Sequence, residues 1–395
     1  MWSIPKIQHY SLFLIWLLHS AIILLLAYIN PNHYTTIDSH YYLESAANLL
    51  SGKGYTVVKN NLHHWNSTFP IGYSLTISIV SLLTETHILI ASKLVNIAAS
   101  GIWLIYLSYW FGREKSIMLS CILFFGSFLK LWAHTWSEPL FLIILFCWTY
   151  QFYALNKNPD FSKKSFSCFA FLGFMLISVR YAGIFIVPTT LAVGADFLRK
   201  KNLSKAKFSG CLGLTWTAFF AFYLWINKYK SGTWSGGERF DGKVDLVKNL
   251  TAFSKGILNE LLIRDINFEV FTPTSIIETG IQIVVISFVI IQNRQKIKES
   301  SFLAIHFWLV AIGYLLFLFT ARLFSSFDEP AYRLLSPFSF LALCGFCLTF
   351  DINKFSKYVK FGLITLIIFS WLDLIPRHGI KMKLSKALSA ITDFI

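Results

Sequence analysis

Charge is scarce in this sequence. Asp, Glu, Lys and Arg make up 14% of its 395 residues, against about 25% in an ordinary soluble domain. A soluble chain of this length needs a polar shell around its core. With 55% hydrophobic residues and a mean hydropathy of +0.58, the sequence does not supply one. A soluble enzyme and a disordered chain are thereby excluded. Cysteine is also sparse: six residues, all within or at the edge of apolar runs, which excludes a disulfide scaffold. Cys344-Gly-Phe-Cys347 has the spacing of a redox or zinc pair. A structural zinc site needs four ligands, so inside an apolar run the pair reads as helix packing. A phosphate-cradling loop is missing, because Ser235-Gly236-Gly237 lacks the Lys and the following helix of a P-loop. Acids are the scarcer charge, 20 against 35 basic residues, for a net charge of +15. The basic residues sit in short clusters between apolar runs, the pattern of the positive-inside rule and not of nucleic-acid binding. Neither a solenoid repeat nor a pair of matching halves is visible.

What is abundant is apolar runs near 20 residues, the length that crosses the hydrocarbon core. They fall at 11–29, 88–111, 116–133, 139–155, 165–179, 182–198, 208–227, 272–292, 302–320, 332–350 and 359–375. They are too long and too weakly alternating for an outer-membrane barrel. The expected fold is an all-α polytopic membrane protein with about eleven transmembrane helices, forming one domain over 1–395. The first run follows a basic start and no small-residue cleavage site comes after it, so it reads as an uncleaved span. Pro70–Leu83 is apolar over about 14 residues and decides the topology. If it does not span and the N-terminus is cytoplasmic, 17 of the 35 basic residues fall on the cytoplasmic side, nearly all in short loops. If it spans, the clusters after residue 83 face outward, against the rule. Residues 70–83 therefore read as an interfacial or re-entrant helix. The outer face then collects loops 30–87, 134–138, 228–271 and 321–331, the break at Arg180 and the tail 376–395.

Those outer segments carry the residues with chemistry. Asp38 opens a stretch in which Leu43, Ala46, Ala47 and Leu50 fall at helical spacing, an amphipathic helix on the membrane surface. Asp38 reads either as the N-cap of that helix or as a general base at the lip of a membrane cavity. Glu138, in Trp136-Ser137-Glu138-Pro139, either complements the helix dipole of the span it opens or joins Asp38 in a site on the same face. Arg180 interrupts an apolar stretch. An intramembrane charge costs roughly 2.5–3.5 kcal/mol on insertion scales, so Arg180 either snorkels to the surface or serves a site. Arg322 and Arg333 flank a loop holding Asp328 and Glu329. They either pair with those acids or bind a phosphate, which the guanidinium fork suits. His63, His64 and His134, with Glu44 or Glu138, are metal-ligand candidates without a spacing that imposes a site. Tyr41, Tyr42, Trp65, Tyr73, Trp132 and Trp136 crowd the same face, as an interfacial belt or as stacking surfaces for sugar or prenyl chain. Asn66-Ser67-Thr68 and Asn249-Leu250-Thr251 match the glycosylation sequon.

Asp38, then Tyr42-Leu43, Ala46, Leu49, Gly52, Gly54-Tyr55, then Phe69-Pro70-Ile71-Gly72-Tyr73, resembles the first outer loop of GT-C membrane glycosyltransferases. It is most similar to the bacterial branch of the protein mannosyltransferase group (glycosyltransferase family 39) and the aminoarabinose transferases of lipid A. Phe111-Gly112-Arg113, Ser137-Glu138-Pro139-Leu140-Phe141, Arg180-Tyr181-Ala182-Gly183 and Tyr332-Arg333-Leu334-Leu335-Ser336-Pro337 extend the likeness over about residues 10–340. There are departures. Phe69-Pro70 stands where such proteins often have two prolines, and Asp38-Ser39 where many mannosyltransferases have Asp-Glu. Loop 228–271 is too short for the lumenal domain of eukaryotic members.

The resemblance implies a polyprenyl-phosphate sugar donor, presented from the outer leaflet of a bacterial inner membrane, and inverting transfer to a lipid, glycan or protein acceptor. On it, Asp38 is the catalytic carboxylate and Glu138 a second acid shaping the acceptor or a metal site. Arg180, Arg333 and Arg322 bind the donor phosphate, and Tyr42, Tyr55, Tyr73, Tyr181 and Tyr332 line the substrate cavity. A divalent metal stays open, with Glu44, His63, His64 and His134 as its candidates. The rival reading is a transporter or flippase of a lipid-linked or anionic solute using the same charged residues. Polar residues concentrated on one face favour the enzyme.

Overall fold

The structure, a computed structural model, describes residues 6–157, 163–236, 242–260, 301–350 and 357–374, with isolated positions between 280 and 291. Helices dominate, as the apolar runs require. In order they are α1 (Lys6–Ile29), α2 (Ile37–Leu50), a hairpin of β1 (Thr56–Lys59) and β2 (Leu62–Trp65), α3 (Gly72–Thr84), α4 (Ile88–Trp110), α5 (Arg113–Ser120), α6 (Gly126–Ala133), α7 (Glu138–Lys157), α8 (Lys163–Val179), α9 (Ile186–Arg199), α10 (Leu203–Ser231), α11 (Leu246–Glu260), α12 (Phe302–Phe324), α13 (Tyr332–Thr349) and α14 (Lys357–Ser370).

Among the described residues seven helices are long and apolar enough to cross a membrane, or eight if one bent pair counts as a span. The chain is an integral, multi-pass membrane protein. The run at 116–133 is not one straight helix. It breaks at Phe125 into segments bent by 70°, where Gly126 lies against the backbone of Ser370 so closely that a Cβ would sit 1.9 Å from its carbonyl oxygen. The run at 165–179 is a short helix, and 359–375 corresponds to α14 and the turn after it. Residues 272–292 lie almost wholly outside the described residues, and the tail 376–395 lies outside them. α3, at 13 residues, rises about 20 Å, short of the roughly 30 Å hydrocarbon core.

The first loop is built differently from its sequence pattern. Thr36, not Asp38, caps α2, and Ser39 returns the bond to the Thr36 N–H in a capping box. The buried face of α2 carries Asp38, Tyr42, Ser45, Ala46 and Asn48, while Leu43 and Ala47 are half-buried and Leu50 is exposed. α3 docks on that face through hydroxyls, with Ser74 donating to the Tyr42 carbonyl and Ser78 to that of Ala46, both at 3.0 Å. The hairpin turns through Asn60 and Asn61, both at positive φ, the conformation a two-residue hairpin loop demands. Both sequon asparagines are buried, Asn66 donating to Ser45 and Asn249 to the Phe319 carbonyl, so neither is presented for glycosylation.

α7 is the central helix and packs against α4, α8, α12 and α13. Around it lies one apolar core that includes Trp103, Phe146, Trp148 and Phe340. Cys344 and Cys347 are buried free thiols within it. Cys347 Sγ faces the Met118 carbonyl at 3.7 Å, which is helix packing.

Candidate active site

Three backbone breaks deliver charges to one place. The first is the 134–137 turn into α7. Polar side chains of α4 hold it: Asn96 donates to the carbonyls of Trp132 and His134, each at 2.8 Å, and Lys93 donates to the Ala133 carbonyl at 2.7 Å and to Thr135 at 2.9 Å. Glu138 follows, 0% exposed. The second break separates α8 from α9. Arg180 is extended there, followed by a 3-10 turn over Tyr181–Phe185, and Gly183 lies so close to the Leu176 backbone that a Cβ would fall 2.5 Å from it. The third is the start of α13. Pro337 cannot donate to the carbonyl of Arg333, and the Ser336 hydroxyl bonds that carbonyl instead, at 2.9 Å. This local chemistry accounts for the Ser336-Pro337 pair.

Glu138 sits between two arginines. Its Oε1 meets Arg180 Nη1 and, at 2.5 Å, Arg333 Nε. Arg333 Nη1 pairs with Asp38 Oδ2. The result is a chain of alternating sign, Arg180, Glu138, Arg333 and Asp38, with no net formal charge. Trp136 backs it, its ring 4.4 Å from the Arg333 guanidinium. Trp136 is fixed in turn by an indole bond to Thr36 at 2.9 Å and by stacking on His134. His134 is buried and bonds the Tyr34 carbonyl at 3.0 Å. Burial, with Lys93 and Lys130 nearby, pushes its ring down to about 3, so it is neutral at ordinary pH. Tyr42 donates or accepts at Ser137, at 3.0 Å. Its phenol is pushed up by burial and then by the Glu138 charge, and it stays protonated.

Asp38, Arg180 and Arg333 open onto a cavity of about 440 Å³, where Tyr42 and Tyr181 join them. Thr68, Ser235, Ser325 and Asp328 add polar groups to the lining. The remaining wall is apolar, with Phe69, Pro70, Ala182, Ile184, Phe220, Phe317, Leu318 and Ala321. The first loop is clamped over it. Tyr181 donates to the Ser67 carbonyl, Trp65 to Asn227 Oδ1, and Asn227 Nδ2 to the Tyr181 hydroxyl.

Several sequence expectations fall elsewhere. Glu138 backs the two arginines and lies outside the cavity lining. Arg322 donates to Asn249 at 3.0 Å and to the Phe327 carbonyl at 3.4 Å; it braces the loop behind the cavity, outside its lining, and does not pair with Asp328 or Glu329. Tyr55 donates to the Phe69 carbonyl and Tyr73 to Asn96; both are fully buried in the scaffold. Tyr332 packs beside Trp136 and Lys130, also outside the cavity lining, and Trp132 is core. The metal candidates are dispersed. Glu44 accepts from the Val58 N–H, His63 and His64 are exposed on β2, and His134 is in the turn. Among the described residues no three His, Cys, Asp or Glu side chains converge to hold a metal, and Asp38 and Glu138 are each faced by guanidinium. Sequence reasoning passed over Lys93 and Asn96, which lie inside an apolar run, and Asp328 and Ser235 as cavity residues.

The expected polytopic helical bundle is the fold found, and solved structures share it. Among solved structures the chain is similar to ArnT from Cupriavidus metallidurans bound to undecaprenyl phosphate, with a TM-score of 0.54 and 12% identity over 88% of this chain and 61% of that one. It is similar to the same protein in the apo state, with 0.53 and 13% over 88% and 60%. The chain thus spans about three-fifths of the length of the ArnT structures. No protein-family model matches the sequence, and no curated protein matches it either.

Proposed function

We propose that this protein is an integral-membrane glycosyltransferase that moves a sugar from a polyprenyl-phosphate donor to a hydroxyl acceptor on the outer face of the membrane. The observation that carries the reading is two arginines and the Asp38 carboxylate in a cavity whose wall is largely apolar. The apolar wall suits a prenyl chain, and a guanidinium pair suits the phosphate. The fold supports the donor class, since an ArnT structure of this fold holds undecaprenyl phosphate.

In the step proposed, the acceptor oxygen bonds to the anomeric carbon as the bond from that carbon to the phosphate oxygen breaks. The bonding pair leaves with the phosphate, so the departing polyprenyl phosphate gains one negative charge. Arg180 and Arg333 offset that charge where it develops. The acceptor proton goes to Asp38. Attack from the face opposite the leaving phosphate inverts the anomeric centre. Glu138 is a positioning residue that fixes the spacing of the two guanidiniums.

The test is sugar transfer from a polyprenyl-phosphate donor by purified protein. Asp38→Asn keeps size but removes basicity, and should slow transfer by roughly 10²–10⁴-fold. Because Thr36 is the cap, the capping of α2 is kept. Wild-type transfer by Asp38→Asn would overturn the assignment. Translocation of the lipid in vesicles, with no transfer, would favour the transporter.

A further inference from the structure

Asp38 and Glu138 hold the same guanidinium from different sides. Glu138 takes Arg333 Nε and is wholly buried, while Asp38 takes Nη1 and lines the cavity together with Arg333. The ring of Trp136 lies against the guanidinium face. An anion arriving through the cavity meets Arg333 on the side onto which Asp38 also opens, because Glu138 is closed off behind it.

We propose that Asp38 is an internal stand-in for the donor phosphate: it holds Arg333 in the free protein, and the phosphate displaces it, releasing the carboxylate only when a lipid phosphate is bound. This rests on the donor reading above and adds an order to it, donor before acceptor. The displacement exchanges one anion for another on Arg333 and leaves the Arg333–Glu138 pair intact. It has a consequence opposite to the ordinary one for a binding-site mutation. Removing the Asp38 charge removes the competitor, so the phosphate binds tighter while transfer is lost.

The experiment is equilibrium binding of undecaprenyl phosphate, which carries no sugar, to the purified full-length chain in nanodiscs. Asp38→Asn should bind about five- to tenfold more tightly than wild type, at the low end of usual coupling strengths. Asp38→Ala should shift in the same direction, which separates loss of charge from any bond made by the new amide. Both variants are checked for wild-type elution and helical content. In turnover, Asp38→Asn should lower kcat and the donor KM together, whereas damage to the scaffold would raise KM. Equal or weaker binding by folded variants, with wild type binding normally, overturns the displacement and leaves the donor reading standing. If neither wild type nor variants bind undecaprenyl phosphate, the donor reading falls and the displacement with it.

Discussion

Glu138→Gln tests whether the buried charges form one unit. The glutamate is fully enclosed and shared by two guanidiniums whose side chains are 12% and 18% exposed. The chain from Arg180 to Asp38 is formally neutral, so replacing Glu138 leaves one positive charge uncompensated where water is largely excluded. Removing one partner of a buried pair costs about 3–5 kcal/mol, and we expect that loss here. Removing Arg180 as well restores neutrality. The Glu138→Gln/Arg180→Gln double variant should then lose about 1–3 kcal/mol less than the sum of the single variants. The assay is denaturant unfolding in detergent micelles, followed by tryptophan fluorescence, for wild type, both single variants and the double variant. Additivity within about 0.5 kcal/mol would refute the reasoning, because residues sharing one charged atom pair cannot act independently. So would a Glu138→Gln protein as stable as wild type.

Arg333→Lys keeps the charge but loses the fork that serves Glu138 and Asp38 together; donor binding should weaken by about tenfold or more, read by the same undecaprenyl phosphate titration. His134 gives a pH signature. Its ring is held down to about 3 in the fold, against about 6.5 when unfolded, so the unfolded chain binds the proton first. The associated stability is complete above pH 6.5 and is lost as pH falls toward 3, by roughly 2 kcal/mol at pH 5. His134→Gln should remove that part of the acid sensitivity in thermal unfolding between pH 8 and pH 5. Orientation is checked by Lys157→Cys in a cysteine-free background, which should resist an impermeant thiol reagent in intact cells and react once the membrane is opened.

The long spans α1, α4, α12 and α13 were legible because a run of 18 or more apolar residues has few other uses. The break at Arg180 was legible because a charge and then Gly183 interrupt such a run. The break at Phe125 was not. It depends on Gly126 meeting Ser370, 244 residues away, and no local pattern records that contact. The hairpin was missed because two strands of four residues with polar ends give little periodic signal. α2 was legible as an amphipathic helix, but its protein-facing side was not: of Leu43, Ala46, Ala47 and Leu50 only Ala46 is buried. Leucine spacing locates the core when the surroundings are water. Where lipid is also apolar, leucines gain little by turning inward, and small and polar residues make the contacts instead. Ser45, Ala46 and Asn48 face inward accordingly.

The same difference in solvent explains which site residues could be read. A charge inside apolar surroundings must find a partner, and that rule singled out Arg180 with no knowledge of the fold. Arg322 was singled out because it flanks an outer loop and a guanidinium suits a phosphate; its partners proved to be Asn249 and a loop carbonyl. The cost of an unpaired charge says that a partner exists, not whether it is a ligand or the protein itself. Aromatic residues discriminated less, because at 17% of the chain Tyr55, Tyr73 and Tyr332 had as much reason to build scaffold as to touch substrate. Asp38 was ambiguous for a sharper reason: an acid in the first turn of a helix has a role in the helix dipole whatever else it does. The ambiguity is removed by Thr36 and Ser39, which close the capping box between them. The Asp38 carboxylate is thus spared from capping and lies on Arg333, where a competing phosphate can move it.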